Sequence, residues 1–378
     1  MGKQNVTISK WSDLIPRTPN PLKLEELCMD GIVLLGIILV VLAGLGTGTV
    51  MWPMKRMKRL QFEHYWFIAM LTGLVVVPWS FVMITIPNPF AAYAQVGWGP
   101  VLKANLFALG WGVANVLYGL CVVRIGAALT GAVMTGLGII AGTTLPMIMK
   151  GTGLFANAPD LMSTGGLVLM AGLAVMLLGV LLSSLAGFGR AKVLSDAPSG
   201  PSSQGQQGRF TIGLLMAVIA GLTSAGISLC FVYGQAPIVE AMKAQGADTM
   251  SADVAVWAAA LMGGAIVNIV FPAWIMTKKK NWGELLKNPG ETLLATVIGI
   301  QFIVAVTLMG RGMLFLGAFG ASVGFAIQQI MQIMGNQAVG FLSGEWKGVY
   351  GNPRRLMYGA LLILAFAVLI VAISNTFV

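Results

Sequence analysis

Residues 31–52 read GIVLLGIILVVLAGLGTGTVMW, a run without a single charged side chain. The hydrocarbon core of a bilayer is about 30 Å thick and an α-helix rises about 1.5 Å per residue, so about 20 apolar residues are enough to cross it. This stretch therefore predicts a helix that spans a membrane.

The rest of the chain repeats this pattern. Of 378 residues, 57% are hydrophobic and only 10% are charged, whereas soluble domains average about 25% charged residues. We therefore predict an all-α membrane protein, solvated by a lipid bilayer, with ten transmembrane helices. These spans are placed at 31–52, 65–86, 103–124, 127–149, 165–187, 211–234, 252–276, 292–311, 314–342 and 356–376.

Several classes of function lose support from the composition. The chain has three cysteines and one histidine, and it contains no dinucleotide-binding, phosphate-binding or zinc-protease motif. No cofactor, no metal and no enzymatic activity are therefore predicted. The net charge of +10 comes from Lys and Arg in short loops rather than along one polar face, so no nucleic-acid partner is predicted either.

The distribution of positive charge between the loops predicts the orientation. Most Lys and Arg residues follow odd-numbered spans, as in the cluster at 55–59, and cytoplasmic loops retain positive charge. With ten spans, both termini are predicted to be non-cytoplasmic.

The order of segments suggests a duplication. We expect a non-cytoplasmic lead at 1–29, a first repeat at 30–190, a flexible cytoplasmic linker at 191–209 and a second repeat at 210–378. Each repeat holds five predicted spans. Because five is odd, a duplicated second half enters the membrane upside down, which is the inverted-repeat arrangement of many transporters.

The predicted spans carry amides rather than deep carboxylates, and this favours a neutral, hydroxyl-rich solute over a cation. The clearest group lies in the ninth span, where Gln328, Gln332 and Asn336 are four residues apart and share one helix face. Gln328 and Gln332 are candidate substrate-binding residues. The alternative is that these amides hydrogen-bond to neighbouring helices, which membrane helices do at about 1 kcal/mol each.

Two other spans hold further candidates for substrate binding. Asn115 and Tyr118 lie three residues apart in the third span, and Asn268 follows a glycine pair in the seventh. An aromatic face beside amides is the mixture that a sugar site needs. The alternative for Tyr118 is a place in the interfacial aromatic belt, and for the amides it is helix packing.

Glu63 and His64 are candidates for proton coupling, because they form the one acid–histidine pair close to a predicted membrane boundary. The alternative is an interfacial salt bridge from Glu63 to the nearby basic cluster, to Lys58 or Arg59.

Several runs in this sequence resemble the L-rhamnose-proton symporter family, within the drug/metabolite transporter superfamily. They occur in order over most of residues 31–376 and are Gly46-Thr-Gly-Thr-Val-Met-Trp-Pro-Met-Lys-Arg-Met-Lys-Arg-Leu-Gln-Phe-Glu63, Trp111-Gly-Val-Ala-Asn-Val-Leu-Tyr-Gly119, Arg124-Ile-Gly126, Ser224-Ala-Gly226, Gly263-Gly-Ala-Ile-Val-Asn268 and Glu345-Trp-Lys-Gly348.

This resemblance implies a carrier of the bacterial inner membrane that imports a deoxysugar with a proton by alternating access. The segment at 317–324 departs from the family pattern, so the resemblance leaves the sugar open between L-rhamnose and a related monosaccharide. Two other functions remain open: a carrier or exporter of a different small metabolite, such as an amphipathic amine, and a membrane enzyme or sensor that acts through its loops. The oligomeric state is not predicted.

Overall fold

The computed structural model describes residues 21–50, 52–125, 127–194 and 204–377, and within these residues the chain is helical with no β-strand. The helices in chain order are α1 (Pro21–Thr49), α2 (Phe62–Leu71), α3 (Val77–Thr85), α4 (Pro89–Val96), α5 (Trp98–Ile125), α6 (Ala127–Met149), α7 (Thr164–Leu194), α8 (Gln204–Ser224), α9 (Gly226–Ala244), α10 (Thr249–Ala260), α11 (Met262–Lys279), α12 (Gly283–Lys287), α13 (Pro289–Phe315), α14 (Gly320–Leu342) and α15 (Asn352–Ser374). A π-helical turn, Thr72–Val76, joins α2 to α3. The prediction that the protein is all-α is therefore confirmed.

Eight helical segments of the described chain are long and apolar enough to cross a membrane, or nine if the bent pair α10 and α11 is one span. They are Gly31–Arg56, Phe62–Thr85, Trp98–Cys121, Leu129–Met149, Thr164–Leu194, Thr211–Ala244, Pro289–Phe315 and Asn352–Phe377, with the pair bent by 53°. The predicted total of ten is thus not confirmed. The difference is α14, whose side-chain amides lower its hydropathy although its length is sufficient.

Two predicted segments, the lead and the linker, overlap with helices of the structure. Helix α1 begins at Pro21, inside the predicted lead, while residues 1–20 lie outside the described residues. Helices α7 and α8 occupy the two ends of the predicted linker 191–209, and residues 195–203 between them are likewise outside the described residues.

Hydrogen bonds and ion pairs gather the loops after odd-numbered predicted spans at one end of the helix bundle, here called the basic end. Glu345, after α14, pairs with Lys55, after α1, and its Oε2 lies 2.6 Å from Nη1 of Arg190 in α7. Glu291, at the start of α13, accepts hydrogen bonds from the backbone nitrogens of residues 58–60. The positive charge of these loops is therefore concentrated at one end.

The remaining connections meet at the opposite end. The Tyr93 hydroxyl in α4 donates to the carbonyl oxygen of Ala255 in α10 at 2.8 Å. The backbone nitrogen of Thr152, after α6, donates to the carbonyl oxygen of Val232 in α9 at 3.1 Å. The bundle thus has two chemically different ends, as expected for a protein with a defined orientation in a membrane.

The bend between α10 and α11 is held by a side chain of α5. Breaking a helix leaves backbone groups without intrahelical partners, and in lipid these must be satisfied within the protein. Asn105 supplies both partners: its Oδ1 accepts from the nitrogen of Gly263 at 2.6 Å, and its Nδ2 donates to the oxygen of Ala259 at 3.0 Å. The bend is therefore a built feature of the fold.

Two helix crossings in the middle of the bundle are made backbone to backbone by glycine. A Cβ atom added at Gly73 would lie 2.5 Å from the carbonyl oxygen of Gly299, and one added at Gly112 would lie 2.9 Å from that of Gly264. The first contact joins the α2–α3 unit to α13, and the second joins α5 to α11. Small residues let membrane helices approach this closely.

Candidate functional site

A cavity of about 300 Å³ lies between the two halves of the chain. This volume is at the lower end of the range of roughly 300–1,000 Å³ that is usual for small-molecule sites. Its apolar lining is Met, Val, Ile and Phe, and its polar and aromatic lining is Thr47, Tyr65, Trp66, Trp111, Asn115, Tyr118, Thr135, Ser224, Gln328, Gln329, Gln332 and Asn336. Four of the five predicted substrate-binding residues therefore meet in one cavity: Asn115, Tyr118, Gln328 and Gln332.

The amides of α14 form an ordered row along the cavity. Nε2 of Gln328 donates to Oγ1 of Thr47 in α1 at 2.8 Å and to Oε1 of Gln332 at 3.1 Å. These two bonds use both Nε2 hydrogens of Gln328, so the group that it can offer a solute is Oε1. Gln332 conversely can offer Nε2. The row thus presents one acceptor and one donor, which suits a hydroxyl-bearing solute.

Asn268 lies behind the cavity wall rather than in it. It is fully buried, and its Oδ1 accepts from Nε1 of Trp66 at 3.0 Å and from Nδ2 of Asn115 at 3.2 Å. Its own Nδ2 donates to the carbonyl oxygen of Gly264 at 2.9 Å. Asn268 therefore fixes the orientation of two lining residues and contacts the cavity only through them.

Aromatic rings form the walls beside these amides. The rings of Trp111 and Phe302 stack with centroids 5.8 Å apart and planes 14° apart, and Trp66 stacks on Phe62 at 5.5 Å. Tyr118 is 43% exposed and lies in the half of α5 nearer the basic end. Aromatic faces next to directed amides are the usual components of a site for a compact, partly apolar solute.

No charged side chain of the described residues lines the cavity. The two proton-coupling candidates, Glu63 and His64, are buried at the basic end and also lie outside the lining. Oε1 of Glu63 accepts from Nζ of Lys279 at 2.9 Å and from Nδ2 of Asn281 at 3.1 Å. The predicted alternative of a salt bridge to Lys58 or Arg59 is thus wrong in its partner, because α11 brings Lys279 closer.

His64 has both ring nitrogens engaged. Nδ1 accepts from the backbone nitrogen of Gln61 at 3.2 Å, so the ring proton sits on Nε2, which donates to the carbonyl oxygen of Asn281 at 3.1 Å. These bonds connect the start of α2 to the turn after α11. His64 is therefore buried because it links these two segments, which is a structural role.

Towards the opposite end the cavity is closed by stacked aromatic rings. Phe231 of α9 and Trp257 of α10 lie 4.9 Å apart with planes 13° apart, and Phe155 contacts Phe231 at 5.9 Å. All three rings are at most 1% exposed. A solute in the cavity is therefore separated from the opposite end by a packed aromatic layer, here called the aromatic plug.

A buried carboxylate lies near the end of one predicted span. Asp253 of α10 has a 5% exposed side chain, but it is the second residue of the predicted seventh span, so it does not contradict the expectation that no carboxylate lies deep within a span. Its Oδ2 accepts from Nη1 of Arg311 in α13 at 3.0 Å. Because position 253 lies at the edge of the predicted seventh span, the sequence did not show that the helix places it inside the protein.

Sequence reasoning also missed Thr47, Tyr65, Trp66 and Trp111. Aromatic residues at these positions read equally well as lipid-facing, and their direction depends on how the helices pack. The runs that carry the family resemblance contain two of them, Thr47 and Trp111, and this was the one available signal.

Comparison with known proteins agrees with this arrangement. The family described as L-rhamnose-proton symport protein (RhaT) matches residues 29–287. The L-rhamnose-proton symporters of Escherichia coli and Shigella dysenteriae serotype 1 are each 24% identical over 354 residues, and that of Yersinia pestis is 24% identical over 356 residues. Each alignment covers 92% of this chain and 99% of the relative.

The family match spans more than half of the chain and confirms the resemblance inferred from the sequence. Symport proteins are transporters rather than enzymes. This agrees with a multi-pass chain in whose cavity the described residues place amides and rings but no charged group. The chain belongs to the L-rhamnose-proton symport protein family.

Proposed function

We propose that this protein imports a neutral deoxysugar, L-rhamnose or a closely related monosaccharide, together with a proton. The observation that carries the proposal is the uncharged cavity of about 300 Å³, in which amide groups stand between aromatic faces. Relatives that align over 92% of the chain bear the name L-rhamnose-proton symporter.

Each cavity residue has a distinct role in this proposal. Oε1 of Gln328 and Nε2 of Gln332 bond sugar hydroxyls from one side, and Asn115 and Tyr118 do so from the other. The stacked rings of Trp111 and Phe302 pack against the apolar face of the sugar. Asn268 acts through the residues that it orients.

An arrangement of ten spans in two inverted repeats is part of the proposal, and the packing of the helices supports it. Helix α1 packs on α13 and α14 of the second half, while α8, its equivalent, packs on α5 and α6 of the first. Helices α7 and α15, the last of each half, pack on each other. The two glycine crossings are related by the same exchange, since they join the second and eighth spans, and the third and seventh.

The orientation follows from charge. In a bacterial inner membrane the basic end faces the cytoplasm, and both termini lie on the other side. The aromatic plug then separates the sugar cavity from the outer medium, while exposed lining residues such as Tyr118 lie on the cytoplasmic side. Rocking of the two halves about the cavity exposes the site alternately to each face.

A different metabolite, such as an amphipathic amine, is the competing substrate class. A cation held at the middle of a membrane needs an opposite charge, and no carboxylate lines the cavity in the described chain. The cavity therefore favours the neutral sugar.

The test is uptake of radiolabelled L-rhamnose by the purified full-length protein in proteoliposomes, with and without an inward proton gradient. Other monosaccharides and an amine compete in parallel. Saturable uptake that the gradient increases and that sugars inhibit supports the proposal. Absence of saturable sugar uptake in both conditions, or inhibition by the amine alone, contradicts it.

A further inference from the structure

The buried carboxylate of Asp253 and the partly exposed guanidinium of Arg311 form an ion pair that joins α10 to α13 near the opposite end. Nη1 of Arg311 lies 3.0 Å from Oδ2 of Asp253, and the side chains are 30% and 5% exposed. The guanidinium also lies 4.6 Å from the ring centroid of Phe315. Removing one partner of such a pair leaves a charge uncompensated inside the protein, which is strongly unfavourable. The pair therefore holds the two helices together as long as both groups are ionised.

This ion pair is adjacent to the aromatic plug. Trp257 follows Asp253 by four residues and shares its face of α10. The ring of Trp257 approaches α13 at Gly310, where an added Cβ would lie 3.0 Å from it, and Gly310 directly precedes Arg311. The Asp253–Arg311 ion pair and the aromatic plug therefore both involve contacts between the same parts of α10 and α13. Separating these two helices disturbs both.

The other charges near Asp253 are few. Lys243 of α9 and Asp248, just before α10, act on it electrostatically with opposite signs, in addition to Arg311. Helix α3, which also packs on α10, has no charged residue, and Lys103 of α5 lies over the ring of Tyr233 at 3.7 Å. Arg311 is therefore the group that bonds directly to the carboxylate.

This inference rests on the proposed function. We infer that Asp253 is the proton-binding group of the transport cycle, and that its ion pair with Arg311 keeps the opposite end closed while the carboxylate is ionised. A proton from the outer medium adds to a carboxylate oxygen of Asp253, and Arg311 keeps its charge but loses its partner. Helices α10 and α13 then separate. When Arg311 returns to the carboxylate, the proton leaves Asp253 for water, and symport requires that this release follow the change by which the two halves open towards the cytoplasm.

Glu63 is the other buried carboxylate of the described chain, with a 4% exposed side chain, and it is the competing site. It lies at the basic end, away from the plug, and its partner Lys279 is half exposed. Protonating Glu63 weakens contacts at the basic end, which the aromatic plug does not close. Asp253 is placed where proton binding opens the closed end, and symport from outside requires that step.

The test compares Asp253→Asn, Glu63→Gln and a matched control, Asp248→Asn. Asp248 is the exposed N-cap of the same helix α10, and asparagine caps equally well. Full-length proteins in proteoliposomes are assayed for L-rhamnose accumulation driven by a proton gradient and for sugar counterflow, which needs no net proton movement. Asp253→Asn is expected to lose accumulation at least tenfold while counterflow persists, and Asp248→Asn to keep both.

A second readout does not depend on the sugar. Amide hydrogen exchange over α10 and the end of α13 is measured at acidic and neutral pH and expressed as protection relative to the intrinsic exchange rate at each pH, and Asp248→Asn, which keeps Asp253, is expected to behave as the wild type. The wild type is expected to lose protection at acidic pH, and Asp253→Asn to be poorly protected at both. If Asp253→Asn folds poorly with Arg311 unpaired, Asp253→Asn with Arg311→Gln removes both charges and has the same expected phenotype.

Any one of three results overturns the assignment. The first is that Asp253→Asn still accumulates sugar when the gradient is applied, and the second is that Glu63→Gln, instead of Asp253→Asn, keeps counterflow but loses accumulation. The third is that hydrogen exchange of α10 responds to pH equally in the wild type and in Asp253→Asn. Failure of the proposed function looks different. In that case the wild type shows no saturable sugar transport, while the exchange experiment still decides whether protonation of Asp253 opens this end.

Discussion

Asn268 receives the indole Nε1–H of Trp66 in a 3.0 Å hydrogen bond that joins α11 to α2 behind the cavity wall. The same oxygen receives Nδ2 of Asn115 from α5. One fully buried amide therefore sets the positions of an aromatic and a polar lining residue that belong to two other helices.

Asn268→Ala is expected to lower both stability and sugar affinity. It leaves the partly buried donors of Trp66 and Asn115 without their acceptor, at up to about 1–3 kcal/mol each, and it frees both side chains from the positions in which Asn268 holds them. Asn115→Ala removes one of these bonds and serves as the comparison, with a smaller loss of stability and a similar loss of affinity. Thermal unfolding in detergent and L-rhamnose binding by calorimetry measure the two effects. Unchanged binding by Asn268→Ala would show that this amide does not organise the site.

Gln328→Ala and Gln332→Ala are each expected to weaken sugar binding by roughly 3- to 10-fold. This corresponds to a neutral hydrogen bond worth about 0.5–1.5 kcal/mol. Gln337→Ala on the same helix is the control, because Gln337 does not line the cavity. The Kd from tryptophan fluorescence and the KM of uptake are the measurements. A loss of the same size in Gln337→Ala would contradict a specific role for the other two.

Gly112→Ala is expected to impair transport severely, because the new Cβ would lie 2.9 Å from the carbonyl oxygen of Gly264 and force α5 away from α11. Gly119→Ala on the same helix is the matched control, since nothing lies within 4 Å of its Cβ position. Surface expression and uptake rate are compared for the two variants. Equal uptake by both would mean that the helices do not need this close approach.

The Glu345 ion pairs predict a dependence of stability on pH. Burial raises the pKa of Glu345, but hydrogen bonds from Lys55 and Arg190 outweigh it and hold the pKa below its ordinary value of 4.5. A carboxyl group with a lowered pKa in the folded state contributes stability that is complete above the unfolded pKa and is lost as pH falls through the folded one.

Glu345→Gln is therefore expected to be less stable than the wild type at neutral pH, by about 0.5–1 kcal/mol per partly exposed pair. The difference should vanish once the pH falls below the lowered pKa of Glu345. Unfolding temperatures of both proteins across acidic and neutral pH test this. Glu284→Gln, which removes an exposed pair with Lys287 and leaves a side-chain oxygen to accept from Nδ2 of Asn288, is expected to differ little from the wild type at any pH. A stability difference for Glu345→Gln that does not change with pH would contradict the assignment to this carboxylate.

Much of this architecture could be read from the sequence because each span needs its own apolar length. The amide row of α14 could also be predicted, because residues four apart lie on the same face of a helix whatever that helix packs against. Asn115 and Tyr118 were found because polar groups beside glycines have few other partners in a membrane.

Other features required the packing of distant segments. The glycine pair after Leu261 does not by itself predict the bend after α10, because Asn105 of α5 satisfies the broken backbone from far away in the sequence. Asn268 looked like a binding residue, but α11 turns it towards Trp66 and Asn115. The burial of Asp253 depends on Arg311, which no local pattern connects to it.

At the glycine crossings Gly73–Gly299 and Gly112–Gly264, two helices touch at a single point through their backbones. No side chain separates the backbones there, so the paired helices meet at their shortest distance and can pivot about that contact. On the proposed alternating access, the contacts that must break lie at the two ends of the bundle, where charged and aromatic groups meet, and we expect those contacts to set the turnover rate.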